Sequence, residues 1–155
     1  MTAQEQHETI ENSPVGWVGK HVRRYVETDG ADGGTYHGYP ALLLTTRGRR
    51  SGTLRRTALI YGRDGDDHLV VASNGGAANH PAWYLNLSAD PTVEIQVGAE
   101  RFTCRARTAS AEERARLWPV MTKVFPTYAR YQKDTDREIP VVVIERVSRE
   151  DATID

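Results

Sequence analysis

The sequence predicts a mainly β protein with flanking helices, an α+β fold whose six strands form a small closed or partly open barrel. Two observations predict this class. Six short apolar runs occur along the chain, with hairpin spacing in the middle, whereas few segments show helical periodicity. The length of 155 residues fits one domain with a hydrophobic core, and no internal repeat divides the chain.

The N-terminal region is predicted to contain a tail and then a helix. Residues 1–13 are polar and acidic and offer almost nothing to bury, so we expect a flexible tail. Ser13 and Pro14 are typical of a helix cap and first turn, and valines follow at helical spacing. We therefore expect a helix over residues 14–28 and a single domain over residues 14–150.

The rest of the chain is predicted to be rich in strands. Between the third and fourth strands, Asn74–His80 is too rich in glycine and alanine for regular structure, whereas Pro81–Leu87 is typical of a short helix. Ser110 and the acids after it begin a longer helix that Pro119 kinks, and Pro126 opens a further turn. The six predicted strands are Ala41–Thr46, Thr53–Tyr61, His68–Ser73, Thr92–Val97, Arg101–Thr108 and Ile139–Ile144.

Composition limits the classes of function. The formal net charge of -1 argues against a dedicated nucleic-acid-binding protein. Cys104 is the only cysteine and the five histidines are scattered, so we expect no disulfide within the chain and no metal site. The N-terminus lacks the basic and apolar blocks of a signal peptide, and no apolar run reaches membrane-spanning length. The expected location is the cytoplasm.

The most informative segment runs from Arg47 to Arg56 and contains five arginines and two glycines between two strand-like runs. A glycine-bounded turn can point several backbone N–H groups at one place, and guanidinium groups add charged, forked donors. This combination fits a phosphate or a cluster of carboxylates, although a solvated basic hairpin accounts for the same pattern. Because the whole chain is nearly neutral, we favour a small anionic ligand over a polymer.

A second glycine-bearing segment, Ala72–Tyr84, joins a predicted strand to the predicted short helix. Its backbone amides and the helix start could accept an anion or a planar ring rich in carbonyl groups. Taken alone, the segment is more typical of a simple connection whose glycines adopt positive φ. Farther along, Tyr128 and Tyr131 lie among polar residues. Their hydroxyls are therefore expected to reach solvent or a cleft, where a tyrosine can hold and protonate a substrate.

Motifs for nucleophilic or nucleotide-driven chemistry are missing from the sequence. It contains no G-x-S-x-G, no Rossmann G-x-G-x-x-G and no Walker P-loop. The candidate residues are binding groups rather than nucleophiles, which is typical of a redox enzyme whose cofactor carries the chemistry.

Taken in order, these segments resemble the deazaflavin-dependent nitroreductase family, actinobacterial split-barrel oxidoreductases that use coenzyme F420. The resemblance extends from about Trp17 to Val147 with compatible spacing. Each motif is weak by itself, whereas the ordered set is specific. The matching segments are Gly33–Thr35, Ala41–Gly52, Ala72–Gly76, Pro81–Leu87, Pro126–Gln132 and Thr135–Val143.

The resemblance implies a six-stranded split β-barrel and two sets of cofactor contacts. The phosphate and acidic tail of F420 would be held by Arg49, Arg50, Ser51, Gly52 and Arg55. The deazaflavin ring would be lined by Ser73, Asn74, Gly75, Gly76, Pro81, Trp83 and Tyr84. The implied catalytic candidates are Tyr128 and Tyr131, which would orient or protonate the acceptor, together with Ser73.

The same resemblance implies an F420H2-dependent reductase that transfers a hydride from the reduced ring to a hydrophobic planar acceptor. Typical acceptors in the family are quinones, including menaquinone, and nitroaromatic compounds. The family usually has lysine at the positions of Arg50 and Asn74 and often tyrosine at Phe125. These departures leave the coenzyme assignment in place and the acceptor open.

Several alternatives to this interpretation stay open. The barrel could bind FMN instead of F420, or it could carry F420 without catalysis. A small nucleic-acid-binding barrel ranks last, because only the arginine segment suggests it. The basic helix over residues 14–28 could contact an anionic membrane surface, although packing over one end of the barrel is the plainer expectation. The oligomeric state is left open.

Overall fold

The computed structural model describes residues 10–13 and 16–147, which form nine strands and four α-helices. Three strands have only two or three residues: β1 (Ile10–Asn12), β2 (Thr35–Tyr36) and β5 (Gly62–Asp64). The six longer strands are β3 (Tyr39–Arg47), β4 (Leu54–Ile60), β6 (Asp67–Val71), β7 (Thr92–Val97), β8 (Glu100–Thr108) and β9 (Val141–Arg146). The helices are α1 (Gly16–Glu27), α2 (Ala82–Ala89), α3 (Ala111–Val124) and α4 (Thr127–Lys133).

The strands form one sheet with the order β1-β4-β3-β7-β8-β9-β6-β5, and β2 pairs with β3. The pairings are antiparallel except that β1 runs parallel to β4. Only Tyr61 separates β4 from β5, so one bent segment of chain supplies strands near opposite edges of the sheet. The result is a split barrel whose sheet is not closed.

This architecture confirms the predicted fold class. The six predicted strands correspond to the six longer strands, and their ends differ by at most two residues. One local prediction was wrong: Ile10–Asn12, placed in a flexible tail, pairs with β4. Asn74–Gly76, expected to be irregular, is a tight turn whose three residues all have positive φ. The rest of the predicted tail (1–9) and residues 14–15 of the predicted helix lie outside the described residues, as do 148–150 of the predicted domain.

Strands β3, β6 and β9 are largely buried on both faces, which explains their continuous apolar runs. In β9, Ile144 packs in one cluster with Leu87 of α2, whereas its neighbour Val143 packs in another with Leu117 of α3. Successive side chains of a strand point to opposite faces, so both faces of β9 are covered. Strands β7 and β8 contain both buried and exposed residues, whereas the seven residues of β4 are all partly or fully exposed. A ligand can therefore reach the sheet at β4.

Tyr25 anchors helix α1 to the barrel through hydrogen bonds. The fully buried hydroxyl of Tyr25 lies 3.1 Å from the carbonyl oxygen of Ala41 and 3.2 Å from that of Gln96, and it accepts a hydrogen bond from the N–H of Gly98 at 2.8 Å. Burial raises the pKa of this hydroxyl, so it stays protonated. The loop after α1 packs closely as well, because a Cβ on Gly30 would lie 2.6 Å from the Cα of Gly98. Helix α1 thus covers one end of the barrel.

Helices α3 and α4 cover the outer face of the sheet. The Ser110 side chain accepts a hydrogen bond from the Glu113 N–H, and the Glu113 carboxylate accepts one from the Ser110 N–H, as expected for a capping box. Helix α3 continues through Pro119, and the predicted turn after Pro126 is the seven-residue helix α4. Helix α4 brings Tyr128 and Tyr131 against the turn of Asn74–Gly76.

His68 is a buried polar side chain on β6. It is 3% exposed, and its Nδ1 has no hydrogen-bond partner among the described residues. The rings of Tyr61 and Phe102 lie beside it, with centroids 5.5 Å and 6.4 Å away. Burial, assisted by Arg63 and Arg146, lowers the pKa of His68 to about 4. The folded protein therefore keeps this imidazole neutral.

This burial predicts a loss of stability in acid. In the unfolded chain His68 takes up a proton near an ordinary histidine pKa, whereas in the folded chain it does so only near pH 4. The contribution of His68 to the free energy of unfolding is therefore fully present above about pH 6.5 and falls as the pH falls toward 4. Between pH 7.5 and 5 the expected contribution is about 2 kcal/mol. Urea denaturation of wild type and His68→Phe at both pH values measures it. Equal pH dependence in the two proteins would contradict the prediction.

Candidate functional site

A cavity of about 740 Å³ opens along β4. Its wall is formed by β1, β4, the turn between β3 and β4, and the segment from the end of β6 into α2. The sequence predicted two separate binding segments, and the structure brings them to this one cavity. The predicted cofactor residues that line it are Arg49, Arg50, Ser51, Arg55, Ser73, Asn74, Gly75, Pro81 and Trp83.

The turn between β3 and β4 is closed by its own hydrogen bonds. The Gly48 N–H donates to the carbonyl of Thr53, and the Gly52 N–H donates to the carbonyl of Gly48, both at 2.8 Å. Gly52 has φ of 73°, which favours glycine. At Gly48, a Cβ would lie 2.9 Å from the Ser51 hydroxyl oxygen and 3.0 Å from the Thr53 carbonyl oxygen. Both glycines of the motif are therefore needed for the turn that carries Arg49 and Arg50.

Asn86 on α2 holds this turn in place. Its side-chain oxygen accepts hydrogen bonds from the N–H and from Nη1 of Arg49, both at 3.2 Å. Its Nδ2 donates to the Thr46 hydroxyl at 3.3 Å, and the residue is 5% exposed. Asn86 was not predicted as a site residue, because its partners Arg49 and Thr46 are 37 and 40 positions away in the sequence. Because its partner is a neutral amide, the Arg49 charge is not cancelled by this contact.

Arg55 and Arg56 are engaged by β1. The Arg55 guanidinium forms an ion pair with the Glu11 carboxylate, and the Nε of Arg56 donates to the Asn12 side-chain oxygen at 3.0 Å. Burial, and then the nearby Arg101, lowers the pKa of Arg56. From the sequence, Arg55 was expected to contact the anionic tail of the coenzyme. In the structure its charge is paired with the carboxylate of Glu11. Glu11 and Asn12 also line the cavity and were not predicted.

The loop after β6 carries the second predicted segment. Asn74, Gly75 and Gly76 have φ of 48°, 64° and 83°, and the Gly76 N–H donates to the Ser73 carbonyl at 2.9 Å. The Asn74 side chain closes the loop by donating to the Asn79 carbonyl at 3.0 Å. Ser73 is nearly buried at 9% exposure and forms part of the cavity wall. The glycines thus serve the sharp turn, and Ser73–Gly75 face the cavity.

A second cavity, of about 300 Å³, adjoins the first. Ser73, Gly75 and Tyr128 line both cavities, and Phe125 and Tyr131 line the second alone. Tyr128 is 6% exposed, so its side chain lies in the cleft rather than in solvent. A cleft was one of the two placements that the sequence predicted. Burial, and then Tyr131, raises the pKa of Tyr128. Its hydroxyl therefore stays protonated and can donate a hydrogen bond.

Three predicted residues line neither cavity: Gly52, Gly76 and Tyr84. The Tyr84 hydroxyl lies 2.7 Å from that of Thr108 and bonds there. A Cβ on Gly76 would lie 3.2 Å from the Tyr131 carbonyl oxygen, so Gly76 lets α4 approach the loop. In the structure these residues shape the walls rather than face the space within them.

The residues that line the larger cavity fit a ligand with both an anionic group and a planar ring. Arg49, Arg50 and Ser51 offer cationic and polar groups, and Pro81 and Trp83 contribute apolar surface to the same cavity. Within residues 10–13 and 16–147, no group of three or more His, Cys, Asp or Glu side chains is placed to hold a metal ion. None of the described helices combines the length and the hydropathy needed to cross a membrane.

Comparisons with known proteins agree with this description. Residues 17–146 match the family model described as F420H(2)-dependent quinone reductase. F420H(2)-dependent quinone reductase Rv1261c of Mycobacterium tuberculosis is 43% identical over 130 residues, which cover 81% of this chain and 87% of the relative.

Two solved structures are similar in fold and sequence. A structure described as an F420-H2 dependent reductase (FDR-A) has a TM-score of 0.64 and 40% identity, covering 68% of this chain and 94% of that one. A structure described as a domain-swapped dimer has a TM-score of 0.67 and 38% identity, covering 86% of this chain and 100% of that one.

The fold and the two cavities define a split-barrel protein whose cavities are lined by cationic, polar and aromatic side chains. Because the family model matches most of the chain, the protein belongs to the F420H(2)-dependent quinone reductase family. This confirms the family resemblance in the sequence, the oxidoreductase class and coenzyme F420 as the cofactor of the family.

Proposed function

We propose that this protein is an F420H2-dependent reductase of quinone-like acceptors. The observation that carries the proposal is that the two cavities share lining residues. The larger cavity is lined in part by arginines and the smaller one by aromatic side chains, and Ser73, Gly75 and Tyr128 line both. A dissociable coenzyme and a planar acceptor can therefore lie side by side.

Arg49 and Arg50 would hold the phosphate of the coenzyme. Both line the cavity, and the fixed turn presents their guanidinium groups together with the Ser51 hydroxyl. Arg49 is already oriented by Asn86, so less conformational freedom is lost when an anion binds. Arg55 would contribute only where the ligand displaces Glu11 from it.

Ser73, Asn74, Gly75, Pro81 and Trp83 would surround the deazaflavin ring. When bound, the reduced deazaflavin supplies a hydride. The chain's own part is to place the ring face toward the smaller cavity and to keep water away from it. Ser73 suits this position, because its side chain belongs to the wall common to both cavities.

The smaller cavity would hold the acceptor. Its wall combines apolar side chains with the hydroxyl-bearing Tyr128 and Tyr131. A neutral tyrosine hydroxyl can donate to a quinone carbonyl and stabilise the negative charge that builds on that oxygen as hydride arrives. Nitroaromatic compounds have similar shape and charge, so reduction of nitro compounds is a secondary proposal.

An anaerobic assay with F420H2 and menadione tests the proposal. We expect the reduced coenzyme to be consumed when enzyme, coenzyme and quinone are all present. A protein that binds F420 and consumes none in a single turnover would be a carrier. A protein that is yellow as purified and active with reduced FMN instead would favour the flavin alternative. Either result would overturn the proposed reaction.

Replacing Arg49 and Arg50 together with alanine tests the anion site. We expect the dissociation constant for F420 to rise by at least about 100-fold, because two charge-assisted hydrogen bonds contribute roughly 1.5–3 kcal/mol each and roughly 3–6 kcal/mol together. Titration of F420 fluorescence measures the effect. Arg105→Ala is the matched control, since Arg105 is exposed and lines neither cavity. An unchanged affinity in the double variant would refute the phosphate assignment.

Tyr128→Phe tests the acceptor site. Removing the hydroxyl should lower kcat for menadione by about tenfold or more and leave the F420 dissociation constant within about twofold, because the lost donor acts as charge develops. Tyr84→Phe is the control, as its hydroxyl bonds to Thr108 away from both cavities. Equal turnover in wild type and Tyr128→Phe would remove the proposed role.

We also propose peripheral contact with anionic membranes through α1. The apolar side of α1 already packs on the barrel through Val22 and Tyr25, so the contact would rest on the exposed Lys20, Arg23 and Arg24. Co-sedimentation with vesicles containing anionic lipid should be weaker for Arg23→Glu/Arg24→Glu than for wild type, and weaker at high salt. Each cation near the surface should contribute about 1 kcal/mol to membrane binding. Equal recovery of wild type and the double variant would end this proposal.

A further inference from the structure

Arg137 lies between α4 and β9 and binds the loop that forms the floor of the site. Its Nε donates to the Ala77 carbonyl at 2.9 Å, its Nη1 to the Ala72 carbonyl at 3.1 Å and its Nη2 to the Ser73 carbonyl at 2.7 Å. Its Nη1 also lies 2.9 Å from the Nδ1 of His80. One guanidinium therefore joins both ends of the loop, although it is 57 residues away from His80 in the sequence.

The contact with Arg137 determines the state of the His80 ring. A guanidinium can only donate hydrogen bonds, so the Nδ1 of His80 must accept and cannot carry a proton. The proton of the neutral imidazole is then on Nε2. His80 lines the larger cavity, and its ring packs beside Tyr84 with centroids 4.8 Å apart. The ring is thus held by two neighbours, with its protonated nitrogen left to serve as a donor.

We propose that His80 donates a hydrogen bond through Nε2 to the ligand in this cavity, and that Arg137 is the positioning residue that fixes this state. The inference rests on the proposed function, because the deazaflavin ring provides the carbonyl oxygens and ring nitrogens that accept such a bond. His80 was not among the residues that the sequence assigned to the cofactor.

Arg137 also fixes the loop that carries Ser73. Asn74 and Gly75 occupy the left-handed region, with φ of 48° and 64°, a conformation that needs support from its surroundings. The guanidinium supplies that support by holding the carbonyls of Ala72 and Ser73 on one side and that of Ala77 on the other. The same side chain thus positions the His80 donor and the wall common to both cavities.

The first experiment measures the tautomer directly, in cofactor-free protein at pH 7. Long-range 1H–15N NMR of His80 should show a protonated Nε2 and an unprotonated Nδ1. A proton on Nδ1, in either the neutral or the charged ring, would overturn the inference. This signature tests the contact with Arg137, and substitution of His80 tests its donor role toward the ligand. His80→Gln identifies its signals by their loss.

The second experiment separates the two nitrogens by substitution. Gln places an amide donor near the position of Nε2, whereas Asn reaches only the position of Nδ1. In F420 fluorescence titrations, His80→Gln should bind within about threefold of wild type and His80→Asn roughly tenfold more weakly. Arg137→Lys should also weaken binding, because an ammonium cannot reproduce the forked contacts.

The outcomes distinguish the inference from the function on which it rests. A wild-type protein that does not bind F420 would overturn the proposed function. A wild type that binds, with His80→Asn binding equally well, would overturn the donor role of His80 alone. Thermal unfolding of each variant checks folding, and the two His80 variants decide the question even where Arg137→Lys fails to fold.

Discussion

The hydrogen bonds of Asn86 join the two halves of the site. Asn86 lies on α2, directly after the loop that carries His80. Its side-chain oxygen accepts hydrogen bonds from the N–H and from the guanidinium of Arg49. Its amide group reaches Thr46 on β3 as well. Because α2 follows directly on the loop of Asn74–His80, these hydrogen bonds fix the arginine turn relative to that loop.

The fold was predictable because β3, β6 and β9 are largely buried and form continuous apolar runs, β7 carries regularly spaced apolar residues, and turns with glycine bound several strands. The arginine turn was predictable for a related reason, since its glycines are local requirements. Residues that act through distant partners were not predictable. Asn86 contacts a residue 37 positions away, Asn12 one 44 away and Arg137 one 64 away, and nothing local in the sequence indicates these pairs.

Counting arginines in the sequence overstates the charge that the site offers to a ligand. Arg55 is paired with Glu11, and Arg56 binds Asn12, so β1 occupies part of the cationic wall. The side chains of Arg55 and Glu11 are 44% and 50% exposed, and exposed ion pairs contribute about 0–1 kcal/mol. Under the proposed function, a long anionic tail would take over Arg55 at little cost, while Arg49 and Arg50 would hold the phosphate in either case.

The environment of Tyr128 defines how it can assist reduction of a quinone. Burial raises its pKa, so the hydroxyl is a weaker acid than an ordinary tyrosine. A full transfer of its proton to a hydroquinone oxygen would be unfavourable, whereas a hydrogen bond to that oxygen keeps the proton and still stabilises the charge. Phe125 packs edge-on against Tyr128, at 4.9 Å between centroids, and adds apolar surface without a second donor. Under the proposed function, this cavity would orient a hydrophobic carbonyl compound, and the Tyr128 hydroxyl would act as a hydrogen-bond donor rather than as the proton source.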